Sequence, residues 1–552
     1  MLYHNIKKNI DQWLNSDLVS EADKQIIQTM NEAELARAFA DTPLKFGTAG
    51  IRAITGPGTQ RLNVFVYRQM ALGYAHFLKQ SSNKSQPVAV ITHDNRLNGD
   101  LFALSCAEVL AAQGILVYLA PENKLLATPV ISYWIRRLNA DGGINITASH
   151  NPKAYNGFKA YNQFGSQVID EQAQIIVQNM PSQDQLFDIE HAINSPLIQY
   201  LPSDCLQTYF DEVKKALPNF ATRAKTSVKA LYSSHHGVGS QTCLALMHQL
   251  GYINFQEFTP ETNITGDFPD SEITNPEDPR SFAPMEVYAN QHNINYLMSQ
   301  DPDGDRFAMG ERQKDNSFYY FNGNENGILF ANYLLTTQQK PNRYVVTSYV
   351  TNNFIDRLVK AHQIPVHRTG TGFKFICDIV EKQEKANNNL LIAFEEAIGS
   401  LLFPFNREKD GYQSVALSLE MINYYQSQGL RLTDVLKNLY NQYGQWFGTT
   451  HSFVIKDPNW KQLMQAKLDF LENQPLKTVS SHPVTKVEWN HVNDCLDWIL
   501  DDDNWLRFRL SGTEPKFKIY YNFFGETQEA IKNEITIIRQ QIVDYLNLEE
   551  YL

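Results

Sequence analysis

Three carboxylates stand at alternate positions in "INYLMSQDPDGDRFAMG", at Asp301, Asp303 and Asp305, where an apolar run gives way to a loop. Acids spaced this way on a loop converge on one hard cation, and an all-oxygen set favours Mg²⁺ or Ca²⁺ over zinc. An EF-hand is excluded by the letters, because the loop positions that call for Gly and Glu are Arg306 and Arg312. Two readings stand beside a metal loop: a solvated acidic turn, and a phosphatase that uses Asp301 as its nucleophile.

A second stretch, "GGINITASHNPKAYNGFKAYN", sets Ser149 in a loop after a short apolar run, followed by His150, Asn151 and Pro152, with Lys159 further on. It has neither a G-x-S-x-G elbow nor an S-x-x-K pair, so hydrolase chemistry has no support there. A third, "FRLSGTEPKFKIY", gathers Arg509, Ser511, Gly512, Thr513 and Lys516 before a strand. Hydroxyls, exposed backbone N–H groups and flanking cations are what a phosphate dianion needs, although a plain turn punctuated by Gly and Pro fits the same letters. A fourth, "LLIAFEEAIGSLLFPFNREKDG", places Glu395 and Glu396 at a strand end, then Arg407, Lys409 and Asp410. Carboxylates there accept hydrogen bonds from sugar hydroxyls, or form a surface acidic pair.

Taken together, a serine, a metal loop and a phosphate-grasping loop describe phosphoryl transfer, where positioning and charge neutralisation dominate. Lys159 or Lys409 would move the hydroxyl proton once neighbouring cations lower its pKa.

The elements that must position these loops follow a repeating pattern. The first forty or so residues read as helix, with Ser20 as an N-cap before "EADKQIIQTMNEAELARAF". The glycine-rich "KFGTAGIRAITGPGTQR" comes next and carries Arg52. Strand-like "PVAVIT" and "ILVYL" flank helix-like "GDLFALSCAEVLAAQG", the mark of β-α-β units and a largely parallel sheet. The alternation recurs at "SVKALYSS" with "SQTCLALMHQLG" and at "RYVVTSYV" with "NNFIDRLVKAHQ". Three α/β units in series are the simplest reading, with joints at "INSPLIQYLPSD", "ERQKDNS" and "YGQWFGTTHSF". The closing "FKIYYNFF" and "TQEAIKNEITIIRQQIVDYL" predict a smaller C-terminal α+β domain. The expected boundaries are 1–200, 201–315, 316–445 and 446–552.

At 552 residues the chain exceeds one ordinary core, and its composition is that of a globular protein. A formal net charge of -12 disfavours nucleic acid as a partner. The five cysteines are scattered and never in C-x-x-C spacing, which argues against a thiolate metal site and for a reducing compartment. With no apolar leader and no long apolar run, a cytoplasmic protein without a membrane partner is expected.

At these loops the sequence resembles the α-D-phosphohexomutase family, the phosphoglucomutases and phosphomannomutases. "FGTAGIR", "TASHNPKAYNGFK", "DPDGDR", "EEAIG" and "RLSGTEPK" occur in the family's order across the chain. The resemblance implies four domains around a central cleft: three related mixed α/β domains and a smaller C-terminal α+β domain. It implies that Ser149 carries a phosphoryl group and that Asp301, Asp303 and Asp305 bind Mg²⁺ together with an oxygen of the phosphorylated Ser149. Glu395 matches the residue that holds sugar hydroxyls, and Arg509, Ser511, Gly512 and Thr513 match the loop that grips the non-reacting phosphate, with Lys516 beside it. Arg52, His150, Lys159, Arg306 and Lys409 match positions around the reacting phosphate, and Gly372 in "TGTGFKF" falls among the substrate-binding positions.

One departure concerns the sugar loop, where many members have a serine two positions after the glutamate and a histidine beyond it. Here Ala397 stands in the first place and no histidine follows, which throws acid/base work onto Lys409 and Lys159. The details "HHGVGS", "GDFPDSEITNPE" and "TGTGFKF" resemble most the phosphoglucomutase 2 and phosphopentomutase-like branch. The implied activity is interconversion of glucose 1-phosphate and glucose 6-phosphate, with glucose 1,6-bisphosphate as intermediate and activator. Mannose or pentose phosphates are alternative substrates, and a metal-dependent phosphatase or a non-catalytic sugar-phosphate binder are rival functions. Small sugar phosphates are the expected partners of a monomer or weak dimer.

Overall fold

The computed structural model describes residues 2–549 other than 41, 43, 45, 48, 49, 123, 220–223, 270, 272, 458, 492, 502 and 512–514. The chain divides into two compact units, Met1–Tyr320 with Gly399–Asn423, and Phe321–Ile398 with Tyr424–Leu552. The first unit opens on the helices Leu2–Asn15, Glu21–Thr29 and Glu32–Ala38. Ser20 caps the second as expected, its hydroxyl accepting from the Asp23 N–H. Trp13 docks this helical segment, with Phe39, Phe65 and Phe187 meeting its ring edge-on at 5.5–5.8 Å.

The first sheet runs Ile51–Ile54, Tyr155–Asn162, Gly142–Ile146, Val88–His93, Leu116–Leu119, Ile198–Tyr200. Its last four strands are parallel, as the β-α-β pattern requires. Tyr155–Asn162 then returns antiparallel against Gly142–Ile146. That reversal confines Ser149 to a short connection between two buried strands. The second sheet repeats the device in the order Phe318–Phe321, Ala308–Arg312, Tyr296–Ser299, Ala230–Ser233, Phe255–Glu257. Tyr296–Ser299 is parallel to Ala230–Ser233 and antiparallel to Ala308–Arg312, so the acidic triplet occupies the turn-back.

In the second unit, Val366–Thr369, Arg343–Ser348 and Asn389–Glu395 form parallel pairs, and the helices Gly323–Thr337 and Phe373–Lys385 pack on the last of them. The C-terminal sheet is antiparallel throughout, ordered Gln445–Val454, Lys516–Gly525, Trp505–Leu510, Cys495–Ile499, Lys486–Asn490. Its apolar face joins Trp498, Phe508, Phe517 and Ile519 to Ile535, Ile538 and Ile542 of the helix Gln528–Leu546. Three α/β domains and a C-terminal α+β domain are therefore present, as the alternating pattern indicates.

The stretches read as joints are structured. Ile198–Tyr200 extends the first sheet, "ERQKDNS" is a hairpin turn closed by Gln313 N–H to Ser317 O at 2.7 Å, and "YGQWFGTTHSF" is largely the strand Gln445–Val454. The second sheet continues past residue 315 because that hairpin's return strand is Phe318–Phe321. Residues 399–423, expected within a continuous third domain, belong to the first unit. Hydrogen bonds fasten them there: Arg407 N–H to Ser132 Oγ at 2.7 Å, and the Tyr161 hydroxyl to Glu408 at 3.0 Å.

Candidate active site

Ser149 lies three residues past the end of the strand Gly142–Ile146, buried like the residues before it, in the left-handed region at φ 52°. What holds an L-residue there is Arg96. Its guanidinium donates to the carbonyl oxygens of Ser149 at 2.7 Å, Asn151 at 2.5 Å, Pro152 at 3.1 Å and Tyr155 at 2.7 Å. Asp94 balances the buried charge at 3.4 Å and also accepts from the Thr147 hydroxyl, which in turn accepts from the Ser149 N–H at 2.9 Å. One buried cation thus orders a whole polar turn, because a guanidinium offers five donors in a fixed plane.

The serine hydroxyl donates to Asp301 Oδ2 at 2.5 Å, with His150 Nδ1 3.2 Å away on the other side. Asp301 Oδ1 accepts from the Arg306 N–H at 2.9 Å. Both oxygens of Asp301 thus accept a hydrogen bond. Asp303 Oδ2 accepts from Thr128 Oγ1 and Lys159 Nζ, both at 2.7 Å, and Asp305 Oδ2 accepts from Lys159 at 3.0 Å and pairs with Lys409 at 3.1 Å. Lys409 also reaches Glu408 Oε1 at 2.9 Å, and Glu408 Oε2 accepts from Tyr161. Lys159 and Tyr161 share one face of the strand Tyr155–Asn162, so a closed ring joins the two lysines through Asp305 and Glu408.

The electrostatics follow from this crowding. Burial and the charges of Asp303 and Asp305 push the Asp301 carboxyl far above the usual carboxylate range. Burial acts the same way on Asp303 and Asp305, but the charge and hydrogen bond of Lys159, with the Thr128 hydroxyl, oppose it at Asp303, and the cations Lys159, Lys409 and Arg306 oppose burial and the Asp303 charge at Asp305, so those two are held low. Burial would lower Lys159, yet the two carboxylates overcome it and raise its pKa. That corrects the expectation of a lysine whose pKa is lowered by neighbouring cations: Lys159 lies between acids that favour its ammonium form.

Asp303 Oδ1 and Asp305 Oδ1 are buried and make no hydrogen bond to any described residue. One oxygen from each of Asp301, Asp303 and Asp305 lies within 4.8 Å of the others. Orphaned buried oxygens and a carboxyl that binds a proton in its own defence mark a place short of positive charge, and the donor set fits a hard divalent cation. Arg52 donates to Asn151 Oδ1 at 2.6 Å. Burial and the nearby Arg306 pull the Arg52 guanidinium's pKa down, while Asp303 and Asp305 oppose them. The first unit therefore assembles Arg52, Ser149, His150, Lys159, Asp301, Asp303, Asp305, Arg306 and Lys409 as one cluster.

The second unit holds the remaining expected residues. Glu395 ends its strand half-buried, while Glu396 is occupied by the Ser348 hydroxyl at 2.9 Å and the Thr351 hydroxyl at 3.4 Å. Gly372 sits at φ 119° at the start of the helix Phe373–Lys385, a conformation that strains any residue with a Cβ. Arg509 is half-buried near the end of its strand, and Ser511 is buried with its N–H donating to Lys516 O at 2.9 Å. Gly512 and Thr513 lie outside the described residues. Sequence reasoning missed Arg96, Thr128 and Glu408. Only Thr128 left a trace, the Thr-Pro pair that opens the helix Thr128–Arg137.

Models of three domains match the chain in order: phosphoglucomutase/phosphomannomutase alpha/beta/alpha domain I at 43–187, domain II at 207–314 and domain III at 322–443. The chain belongs to the phosphoglucomutase/phosphomannomutase family of sugar-phosphate mutases. A phosphomannomutase of Mycoplasmoides pirum is 40% identical over 543 residues, covering 98% of this chain and 99% of that protein. A phosphoglucomutase of Staphylococcus saprophyticus is 31% identical, covering 97% and 98%. The crystal structure of a putative phosphomannomutase from Thermus thermophilus superposes with a TM-score of 0.71 at 22% identity, over 91% of this chain and 99% of that one.

Proposed function

We propose that the enzyme interconverts glucose 1-phosphate and glucose 6-phosphate, carrying the phosphoryl group on Ser149 and passing through glucose 1,6-bisphosphate. The observation that carries this reading is Ser149 Oγ at 2.5 Å from Asp301, at the edge of three buried carboxylates and beside Arg52 and Arg306. Mg²⁺, held by Asp301, Asp303 and Asp305, would neutralise charge on a phosphate carried by Ser149. The chain's own residues do the rest. Arg52 and Arg306 draw the phosphoryl oxygens into position, and Lys159, fixed as an ammonium, adds charge that never leaves. His150 Nδ1, 3.2 Å from Ser149 Oγ, is placed to hold the hydroxyl proton when the serine takes a phosphoryl group back. Arg509, Ser511 and Lys516, with Gly512 and Thr513, would grip the other phosphate, and Glu395 the sugar hydroxyls.

A phosphomannomutase reading has its own support, since the relative at 40% identity carries that name. Assays with glucose 1-phosphate, mannose 1-phosphate and ribose 1-phosphate side by side decide the matter. The highest kcat/KM is expected on glucose 1-phosphate, and a mannose or ribose phosphate turned over better overturns the preference.

A further inference from the structure

The "SHHGVGS" segment at 234–240 plays no part in the chemistry above, yet it lies directly beneath the acidic loop. His235 Nε2 is 2.8 Å from Ser299 Oγ, and its Nδ1 is 3.1 Å from Glu261 Oε2. The Ser233 hydroxyl donates to the same carboxylate oxygen and accepts from the His235 N–H at 2.9 Å. A carboxylate only accepts, so Nδ1 carries a proton towards Glu261, while Nε2 shares a hydrogen bond with the Ser299 hydroxyl. Serine, imidazole and carboxylate stand in the order of a hydrolytic triad, but Ser299 is 0% exposed, His235 1% and Glu261 4%. No reacting atom can reach the hydroxyl.

What the relay does reach is the loop. Ser299 is the last residue of its strand, and Gln300 begins the turn to Asp301. The Gln300 N–H donates to Ser233 O at 3.0 Å, and the Tyr232 hydroxyl to Gln300 Oε1. Further on, Val238 N–H donates to Pro302 O at 2.8 Å, and a Cβ on Gly237 would overlap the Pro302 backbone. His235 and His236 both adopt the left-handed region, at φ 49° and 62°, which turns the segment sharply enough to make these contacts.

We infer that His235, oriented by Glu261, is a positioning residue that fixes the loop bearing Asp301, Asp303 and Asp305 in its cation-binding shape. Lys159 and Lys409 offset the charge of Asp303 and Asp305, but side-chain pairing does not by itself fix the backbone that brings the three acids together. The strand end held by His235 and the Pro302 backbone held by 237–238 supply that constraint. The inference rests on the metal reading proposed above.

Mn²⁺ titration of the full-length protein, with free ion counted by electron paramagnetic resonance, tests it without reference to turnover. Ser299→Ala and His235→Asn are each expected to weaken Mn²⁺ binding by about tenfold or more, the effect typical of losing an outer support of metal ligands. At saturating Mn²⁺ both should regain a near-wild-type KM for the sugar phosphate, which a generally loosened fold would not. Ser299→Ala removes one hydroxyl and decides the question if His235→Asn fails to fold. Mn²⁺ affinity within about twofold of wild type in Ser299→Ala overturns the positioning role alone. Wild-type binding that survives Asp303→Asn unchanged overturns the metal reading and this inference with it.

Discussion

Lys159 Nζ lies 2.7 Å from Asp303 Oδ2, and both groups are buried to 1% exposure of their side chains. The pair crosses from the strand beside the serine loop to the acidic loop, so it joins the first two domains at the place where their functional residues meet. With Asp305 it makes Lys159 the fixed positive charge of the site.

Breaking that pair leaves buried carboxylates without their cation. Lys159→Met should therefore destabilise the metal-free protein by about 3–5 kcal/mol, because an uncompensated buried charge is costly. Urea unfolding with a chelator present checks this, and Mg²⁺ should recover part of the loss. A variant as stable as wild type in chelator would mean that the pair is not the chief partner of these acids.

Arg96 predicts a kinetic rather than a chemical defect. Arg96→Lys keeps the charge near Asp94 but loses the planar fork that gathers four carbonyls, so Ser149 drifts from its position. A shift of that kind costs about 10²-fold in kcat. Steady-state kinetics should show that drop with KM little changed, and an unaltered kcat would remove Arg96 from the account of how the loop is ordered.

His451 gives the C-terminal domain a pH dependence of stability. Its ring meets Tyr521 edge-on at 5.1 Å, and burial together with Arg539 lowers its pKa to about 4, from 6.5 in an unfolded chain. The unfolded state then binds a proton that the folded state refuses. The stabilisation is fully present above pH 6.5 and is lost as pH falls from 6.5 towards 4. His451→Phe keeps a ring and removes the titration, so its urea midpoint should fall less than wild type's between pH 7 and 4.5. Parallel losses in the two proteins would contradict the assignment.

The acidic triplet and Ser149 were legible because their chemistry is local: alternate acids on a loop, and a serine in a loop after a strand, read the same before and after folding. Arg96, Thr128 and Glu408 were not, since nothing in the letters says that an arginine will spend its donors on a turn some fifty residues away, or that Glu408 will meet Tyr161. The direction of the Lys159 shift was misread for the same reason. Its neighbours in sequence are neutral, while its neighbours in space are Asp303 and Asp305. The β-α-β pattern placed the parallel strands correctly. The glycines and polar residues of "YGQWFGTTHSF" suggested a linker, whereas the antiparallel pairing of Gln445–Val454 with Lys516–Gly525 makes it a strand. Cross-strand partners decide that outcome, and they lie far along the chain.

The central claim is that Ser149 carries the phosphoryl group. Intact-protein mass spectrometry after exposure to glucose 1,6-bisphosphate tests it most directly, with wild type and Ser149→Ala treated alike. The account predicts one added phosphate on wild type and none on the variant. A phosphate that persists on Ser149→Ala would contradict it.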